Sequence, residues 1–305
     1  MPKISVIVCT YKRMDFLPKA LESLVKQSLA FKDYEIIIIN NNSPDNTEEY
    51  CLAFKQNNPE HSIYYTLEKE QGLSYARNRG IILAKGEILC FIDDDAIANS
   101  HYLEELVNFF EKHLDAVAVG GHIYPLFETE RPKWMSSYLL DITSSIDLGK
   151  SIRKFPTTKY PIGANMAFRA FIFSQIGLFN VNLGRKGDNL EGAEEKEIFK
   201  KIRKEKQNIY YLPSAIVAHY VPAKRLSKAF FIRLATSIGY SEKIRTKNIS
   251  AFTYFKRILL EIYKWVGTLA LLLGYTLCLK PNMGIKLVEY RWYISMGLLG
   301  ISEPA

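Results

Sequence analysis

Gly86-Glu87-Ile88-Leu89-Cys90-Phe91-Ile92-Asp93-Asp94-Asp95 is the stretch that decides the fold. An apolar run bounded by glycine and acids is typical of a strand buried on both faces, as in parallel sheets. Because ligands bind at the carboxyl ends of such strands, the three carboxylates are expected beside a binding crevice. Mg2+ or Mn2+ would compensate their crowded charge and also contact a substrate phosphate. The alternative is a solvated acidic loop before the next helix.

Strand and helix patterns alternate on both sides of this stretch. Before it, the sequence predicts strands over residues 4–10, 34–39 and 63–67, with helices near residues 17–25, 47–57 and 73–84. After it come a predicted helix over 102–112 and a strand over 116–119. Beyond the loosely patterned residues 124–161, the sequence predicts a strand over 163–169, a helix over 194–206 and short strands over 209–212 and 215–219. The alternation predicts an α/β fold with a mostly parallel sheet.

The cysteines and the N-terminus bear on the cellular compartment. Cys9, Cys51, Cys90 and Cys278 show no metal-binding spacing, and two of them lie inside predicted buried strands. Free cysteines buried in this way favour a reducing compartment. No signal-peptide pattern precedes the first strand, so we expect the protein in the cytoplasm.

The charge of the chain is unevenly distributed. Residues 200–305 contain 18 basic and 5 acidic side chains, a balance of +13, whereas the first 199 residues contain 22 basic and 27 acidic ones, a balance of −5. The C-terminal third is therefore expected to face something anionic. Because its basic residues alternate with long apolar runs, the sequence favours a membrane surface over nucleic acid.

The last part of the chain has the pattern of a membrane-associating tail. Apolar residues recur at helical spacing from Ile249 to Tyr263, and the fifteen residues from Trp265 to Leu279 are uncharged. A membrane span needs roughly 20 apolar residues, so this run is short for a crossing. We expect a helix in the membrane plane, or a shallow hairpin completed by residues 292–301. The alternative is a buried helix of an ordinary core.

Several motifs follow one another in an order that resembles glycosyltransferase family 2, the inverting sugar-nucleotide transferases of the GT-A fold. They occupy residues 5–13 (SVIVCTYKR), 40–47 (NNNSPDNT), 70–80 (EQGLSYARNRG), 93–95 (DDD), 163–169 (GANMAFR), 183–185 (LGR) and 192–195 (GAEE), with His219 and Arg225 beyond them. The resemblance covers about residues 3–240. It implies a GT-A domain over residues 1–240, with a nucleotide-binding half to residue 121 and an acceptor-side half from 122, followed by the tail over 241–305.

The resemblance implies a donor site and a metal site. Asp95 matches the direct metal ligand of the family, and a histidine at the position of His219 can reach the metal or the diphosphate. The remaining positions that the resemblance assigns to donor binding are Thr10, Tyr11, Arg13, Asn40, Arg77, Asp93, Asp94 and Arg225. Asn40 departs from the family, because many relatives have an aspartate there that contacts the base. Asparagine adds a donor amide, so uridine, thymidine and guanosine donors all stay open.

Removal of a proton from an acceptor hydroxyl requires a base, and a carboxylate is the usual one. Glu194 and Glu195 open a helix, and we expect only one of them to face the cleft, since adjacent side chains on a helix point in different directions. The family places its base at the second acid, Glu195. The positions expected on the acceptor side are Trp134, Gly163, Ala164, Asn165 and Glu194. For Trp134 the alternative is a simple packing role, and for Glu194 and Glu195 it is that acids favour the N-terminus of a helix.

The resemblance therefore implies an inverting, metal-dependent glycosyltransferase. It would use a nucleotide sugar and a glycan or lipid-linked acceptor at the inner face of the cell membrane, in surface polysaccharide or glycolipid synthesis. A nucleotidyltransferase is one alternative, because carboxylate-bound metal on such a sheet also suits attack on a phosphate. A non-catalytic, membrane-attached glycan-binding protein is the other.

Overall fold

The computed structural model describes residues 1–185 and 193–301. Its first four strands are parallel: β1 (Ile4–Thr10), β2 (Tyr34–Asn40), β3 (Ser62–Leu67) and β4 (Ile88–Asp93), in the order β3-β2-β1-β4. Every residue of β2 is buried, as the apolar pattern of a doubly covered strand predicts. The connecting helices are α1 (Leu17–Val25), α2 (Thr47–Asn57) and α3 (Leu73–Leu83).

Beyond β4 the sheet continues with antiparallel neighbours. The further strands are β5 (Ala96–Ala98), β6 (Ala116–Phe127), β7 (Arg153–Lys154), β8 (Met166–Arg169) and β9 (Asn208–Val221). β8 lies between β4 and β6, and β9 pairs with β5 and β7. The helices here are α4 (Tyr102–Lys112), α5 (Ile172–Ile176) and α6 (Glu194–Lys204). The predicted α/β class is confirmed, and the sheet is mixed.

Two strand predictions differ from the structure in detail. Residues 163–165 form a short 3-10 turn, so the strand predicted over 163–169 begins only at Met166. The two short strands predicted over 209–212 and 215–219 are one strand, β9. Pro213 lies inside this strand and is half-buried.

The chain divides into two compact units. The first comprises Met1–Tyr124 and Ser145–Tyr220, and the second comprises Pro125–Ser144 and Val221–Ala305. The predicted boundary at residue 240 falls inside α7 (Lys228–Lys247), and the predicted domain limits stay a prediction. Within the second unit, α7 packs on α8 (Ala251–Leu277) and α9 (Pro281–Leu299).

Glycines let the helices of the second unit approach closely. A Cβ on Gly239 of α7 would clash with the carbonyl oxygen of Ile294, and a Cβ on Gly297 of α9 with that of Thr236. The predicted apolar C-terminal helix is confirmed as α8. Among the described residues, α8 is the one helix long and apolar enough to cross a membrane by length and composition, and only 11% of its most apolar window is buried.

Candidate functional site

A cavity of about 270 Å³ opens within the first unit, where β1 and β4 end. Nine of the residues predicted from the sequence line it: Thr10, Tyr11, Arg13, Arg77, Asp93, Asp94, Asp95, Glu194 and Glu195. β1 and β4 are paired with Cys9 opposite Asp93, so the loop after β1 and the acidic triplet meet at one edge of the sheet. This is the position at which α/β sheets bind their ligands.

Strand pairing also brings His219 to the acidic triplet. β5 follows the triplet directly and pairs with β9, with Ala96 opposite His219. The Nε2 atom of His219 lies 3.2 Å from Oδ1 of Asp95, and both side chains are buried. Asp93, Asp95 and His219 each offer one ligand atom, and the three atoms lie within 4.8 Å of one another. Nδ1 of His219 is buried without a hydrogen-bond partner in the described part of the chain.

The three carboxylates differ in their surroundings. Burial, followed by the charge of Asp95, raises the pKa of Asp94 to about 8 and so favours its neutral form. The guanidinium of Arg13 lies 3.8 Å from Oδ2 of Asp95, too far for a hydrogen bond. A second positive charge, such as a divalent cation, would therefore be stabilised here. Two carboxylates and an imidazole form a donor set that suits such an ion.

A second group of charges is organised around Arg77 of α3, whose side chain is 3% exposed. Its Nη1 donates to Glu194 at 2.9 Å, and its Nη2 donates to Glu195 at 2.9 Å. Nη2 also lies 3.7 Å from Oδ1 of Asp93. One buried arginine thus joins the two glutamates to the acidic triplet. The expectation that only one of the two glutamates faces the cleft is wrong, because both reach Arg77 from the first turn of α6 and both line the cavity.

Glu195 has the properties of a base at neutral pH. Burial raises its pKa to about 7, even though Arg77 acts in the opposite direction. The backbone N–H of Gly163 donates to Oε1 of Glu195 at 2.8 Å and fixes the carboxylate from a second side. A side chain at residue 163 is excluded, since a Cβ there would overlap the guanidinium of Arg77. A base with a pKa near the working pH is suited to proton transfer.

Ala164 and Asn165, two of the residues predicted on the acceptor side, are buried and do not line the cavity. The Asn165 amide donates to the carbonyl oxygens of Ala215 (2.8 Å) and His122 (3.2 Å), and its oxygen accepts from Tyr102. Asn165 therefore holds strands together from behind the site. Acceptor contact by these two residues stays a prediction.

Comparison with known proteins agrees with this geometry. The family model described as "Glycosyl transferase family 2" matches residues 5–177, more than half of the chain. The chain belongs to glycosyltransferase family 2. It is therefore a glycosyltransferase. The acidic triplet and Arg77 lie within the matched residues, whereas Glu194 and Glu195 lie beyond them.

Two relatives and one solved structure show the range of similar proteins. The chain is 27% identical over 247 residues to the glucosyl-dolichyl phosphate glucuronosyltransferase of Haloferax volcanii, covering 79% of this chain and 77% of that protein. It is 37% identical over 95 residues to the GalNAc(5)-diNAcBac-PP-undecaprenol beta-1,3-glucosyltransferase of Campylobacter jejuni, covering 31% of this chain and 30% of that protein. The mannosyltransferase of Pyrobaculum calidifontis, solved with GDP-Man and Mn2+, has a TM-score of 0.61 at 18% identity, covering 99% of this chain and 88% of that one. The likeness to that structure shows the shared GT-A fold.

In this family 2 glycosyltransferase the loop after β2 brings Asn41, the residue that follows the predicted Asn40, to the cavity. The Asn40 side chain is buried, donates to the Tyr65 hydroxyl at 3.0 Å and accepts from the Ser43 N–H at 2.9 Å. The neighbouring Asn41 lines the cavity and, with Gln71, braces the loop before α3. Base contact by Asn40 stays a prediction. Asn41 and Gln71 were not predicted as site residues, although they lie in the motifs at residues 40–47 and 70–80.

Further cavity-lining residues were also missed by the sequence analysis: Cys9, Leu73, Ala76, Tyr160, Arg185, Ala193 and Lys196. Arg185 is held near α3 because its carbonyl oxygen accepts from the N–H of Leu73 at 3.0 Å. The positive charge of Arg185 in the LGR motif, residues 183–185, is the sequence feature that could have indicated a place in the cavity. The rest of the predicted glycine-rich loop, residues 186–192 with Gly192, lies outside the described residues.

Two predicted residues belong to the second unit. Trp134 is half-buried, packs edge-on against Phe231 with ring centroids 5.9 Å apart, and has the ammonium group of Lys286 5.2 Å from its ring. Arg225 lies in a short 3-10 turn, Ala223–Leu226, that follows β9. Trp134 thus has a packing role within its unit. Contacts of Trp134 with the acceptor and of Arg225 with the diphosphate stay predictions.

Proposed function

We propose that this protein transfers a sugar, with inversion at the anomeric carbon, from a nucleotide-sugar donor to a hydroxyl of a glycan or lipid-linked acceptor. The observation that carries the proposal is a single cavity lined by Asp93 and Asp95 of the three-residue cation site and by Glu195, whose pKa is raised to about 7, with Arg77 in contact with both Asp93 and Glu195. A direct displacement needs these two elements together. One receives the donor diphosphate, and the other receives the acceptor proton.

Asp93, Asp95 and His219 are the residues that would hold the divalent cation. When bound, Mg2+ or Mn2+ neutralises charge that develops on the diphosphate leaving group. The imidazole in the donor set favours Mn2+, because Mg2+ is bound mainly through oxygen. Thr10, Tyr11, Arg13 and Asn41 surround the adjoining part of the cavity, where we place the nucleoside.

Glu195 would take the proton of the attacking hydroxyl. The new bond forms between that oxygen and the anomeric carbon, the bond from this carbon to the diphosphate breaks, and the nucleoside diphosphate leaves. Glu194 is suited to holding the acceptor, since its Oε2 atom is buried without a hydrogen-bond partner among the described residues while its Oε1 accepts from Arg77. A sugar hydroxyl that donates to Oε2 would satisfy this atom.

The first prediction concerns how the transfer rate depends on pH on the acidic side of its profile. Because the base must be ionised to accept a proton, the transfer rate should rise with pH and level off above the pKa of Glu195, which is about 7 without a cation and is lowered by a cation bound at Asp93. Below that pKa, kcat/KM should fall about tenfold per pH unit. The measurement is kcat/KM from pH 5 to 9 at saturating Mn2+. A profile that stays flat down to pH 5 would show that Glu195 is not the base.

Substitution of Arg77 tests whether this residue positions Glu195 or binds the donor. Its positive charge lowers the pKa of Glu195, so Arg77→Met should move the acid limb upward by about one pH unit or more. Donor affinity, measured by titration calorimetry, should change by less than threefold. A large loss of donor affinity with an unmoved acid limb would instead support donor binding by Arg77. Arg77→Lys, which keeps the charge, is the matched variant, and melting curves identify any loss of fold.

Two observations support a lipid-linked acceptor: the names of two relatives, and the charge and apolar helix of the C-terminal part of the chain. The names of the two relatives above contain dolichyl phosphate and PP-undecaprenol, which are lipid carriers. Together with the +13 balance of residues 200–305 and the apolar helix α8, this supports a lipid-linked acceptor at the inner face of the cell membrane. Surface polysaccharide or glycolipid synthesis is the process that fits such an acceptor, and nucleic acid is not expected as a partner.

Product analysis tests the proposal. The full chain is incubated with Mn2+, a panel of nucleotide sugars and a polyprenyl-phosphate-linked sugar, and both products are identified. We expect a nucleoside diphosphate and a glycoside of inverted configuration by NMR. Release of pyrophosphate would support the nucleotidyltransferase alternative, and a retained configuration would contradict the direct displacement. Binding of donors without turnover on any acceptor would support the non-catalytic alternative.

A further inference from the structure

Helix α8 has its polar residues inside and its apolar residues outside. Its buried residues are Arg257, Glu261 and Thr268. Large apolar side chains, each about half exposed or more, form what we call the outer stripe: Phe252, Phe255, Leu259, Ile262, Val266, Leu269, Leu273 and Leu277. A surface helix of a soluble protein shows the opposite arrangement. An inward polar face is typical of helices that contact lipid, where charged side chains pair with one another inside the bundle.

Ion pairs within the second unit fix this orientation of α8. Glu261 accepts from Arg257 of the same helix at 2.8 Å and from Arg291 of α9 at 3.0 Å. Arg257 also donates to Glu242 of α7 at 3.2 Å. If α8 rolled about its axis to bury the outer stripe, these pairs would separate and leave buried charges without partners, which is strongly unfavourable. The outer stripe is therefore held facing outward.

The length of the stripe and its flanking lysines decide between crossing a membrane and lying on one. The stripe continues along the whole 27-residue helix, a length of about 40 Å, whereas the hydrocarbon core of a bilayer is about 30 Å thick. Lys264 is exposed at the middle of α8, where a crossing helix would place it at the centre of the bilayer. A helix in the membrane plane instead keeps Lys256 and Lys264 at the level of the lipid headgroups.

We propose that α8 lies in the plane of an anionic lipid bilayer, with the outer stripe immersed below the headgroups and Lys256 and Lys264 against lipid phosphates. Charge favours lipid over a second copy of this chain as the occupant. Glu261 is the one acid on α8 and it is buried, so two such faces would bring lysines together without acidic partners. Membrane binding by α8 depends on the proposed function in one respect: a lipid-linked acceptor explains why the protein would benefit from binding a membrane.

Vesicle binding of the full chain tests the attachment. We expect flotation with vesicles of phosphatidylcholine and phosphatidylglycerol to be at least tenfold stronger than with phosphatidylcholine alone. The double variant Phe255→Gln/Leu269→Gln should lose at least tenfold in affinity. The matched control, Ile82→Gln/Leu114→Gln, removes two exposed apolar side chains from the first unit and should bind like the wild type. Unchanged binding of the stripe variant, with an unchanged melting curve, would overturn the proposal.

Depth measurement distinguishes the in-plane helix from a crossing one. In a Cys278→Ser background, which removes the exposed native thiol, single cysteines at positions 255 and 273 carry a fluorophore that brominated lipids quench. An in-plane helix gives equal depths at the two positions. A crossing helix separates them by about 27 Å, which is 18 residues at 1.5 Å each, and that result would overturn the proposal.

Two further measurements complete the test. Sedimentation without lipid should show no dimer that depends on the outer stripe, and such a dimer would assign the stripe to a second copy instead. Nucleotide-sugar turnover with a soluble acceptor analogue should be unchanged in the stripe variant. If neither the wild type nor any variant shows turnover while the wild type still binds vesicles, the proposed enzymatic function is contradicted and the membrane inference still holds.

Discussion

Glu195→Gln should lower kcat by about two to four orders of magnitude, the range that general-base catalysis contributes. Glutamine keeps the size of the side chain and can still accept from the Gly163 N–H and from Arg77, but it cannot take up the acceptor proton. The lost interaction is one that matters only in the transition state, so the donor dissociation constant should stay within about threefold. Initial rates at saturating substrates and calorimetric titration with a donor measure the two quantities.

The matched control is Glu205→Gln at the exposed C-terminal end of α6, which removes a carboxylate from the same helix without touching the cavity. It should retain the activity of the wild type. If Glu195→Gln also keeps full activity, the base lies elsewhere, and Glu194 is the next carboxylate to substitute. Glu194→Gln should raise KM for the acceptor more than it lowers kcat, because the proposed task of Glu194 is positioning.

Asp95→Asn should abolish the dependence of donor binding on Mn2+. Asp95 is buried and lies beside His219 in the group of three residues that could hold a cation, so its loss would remove one of the two carboxylates proposed as ligands. We expect donor affinity in the presence of Mn2+ to fall at least a hundredfold, to the level measured with EDTA, because even the loss of a residue that only hydrogen-bonds to a metal ligand typically costs ten- to a hundredfold. Calorimetry with a nucleoside diphosphate, with and without Mn2+, measures this difference.

Asp147→Asn serves as the control for Asp95→Asn, since Asp147 is exposed and does not line the cavity. It should bind the donor as the wild type does. Equal Mn2+ dependence in Asp95→Asn and the wild type would contradict the cation site at Asp93, Asp95 and His219. Loss of binding in both the presence and the absence of Mn2+ would instead assign Asp95 a direct contact with the donor.

The sequence was sufficient where the relevant pattern is local. An apolar run that ends in three acids specifies both a buried strand and carboxylates at its end, and β4 with the acidic triplet follows this prediction. Motif order extended the prediction to Glu195, which lies in the same cavity as the triplet, and its role as the base stays a prediction. The direction of the strands beyond β4 was harder, because apolar alternation is the same in parallel and antiparallel neighbours.

Contacts between distant parts of the chain could not be predicted. Arg77 bonds to Glu194 and Glu195, which are 117 and 118 residues away in sequence, and no periodicity near Arg77 indicates this. Asn40 and Asn41 show a second limit. Asn40 is opposite Thr10 in the last pair of β1 and β2, and its side chain bonds to Tyr65 and Ser43, whereas Asn41 lines the cavity. Because residues 40–42 are all asparagine, the sequence does not show which of them ends the strand and which one faces the cavity.

The pairing of β5 with β9 has a consequence for the heat resistance of the protein. It brings His219 beside Asp95, although the two lie far apart along the chain, so the unfolded chain offers an ion no comparable set of ligands. An ion bound in this way would link the acidic triplet at the end of β4 to β9, the last strand in chain order. The temperature of unfolding would then rise with the logarithm of the Mn2+ concentration once the dissociation constant is exceeded, with no substrate present.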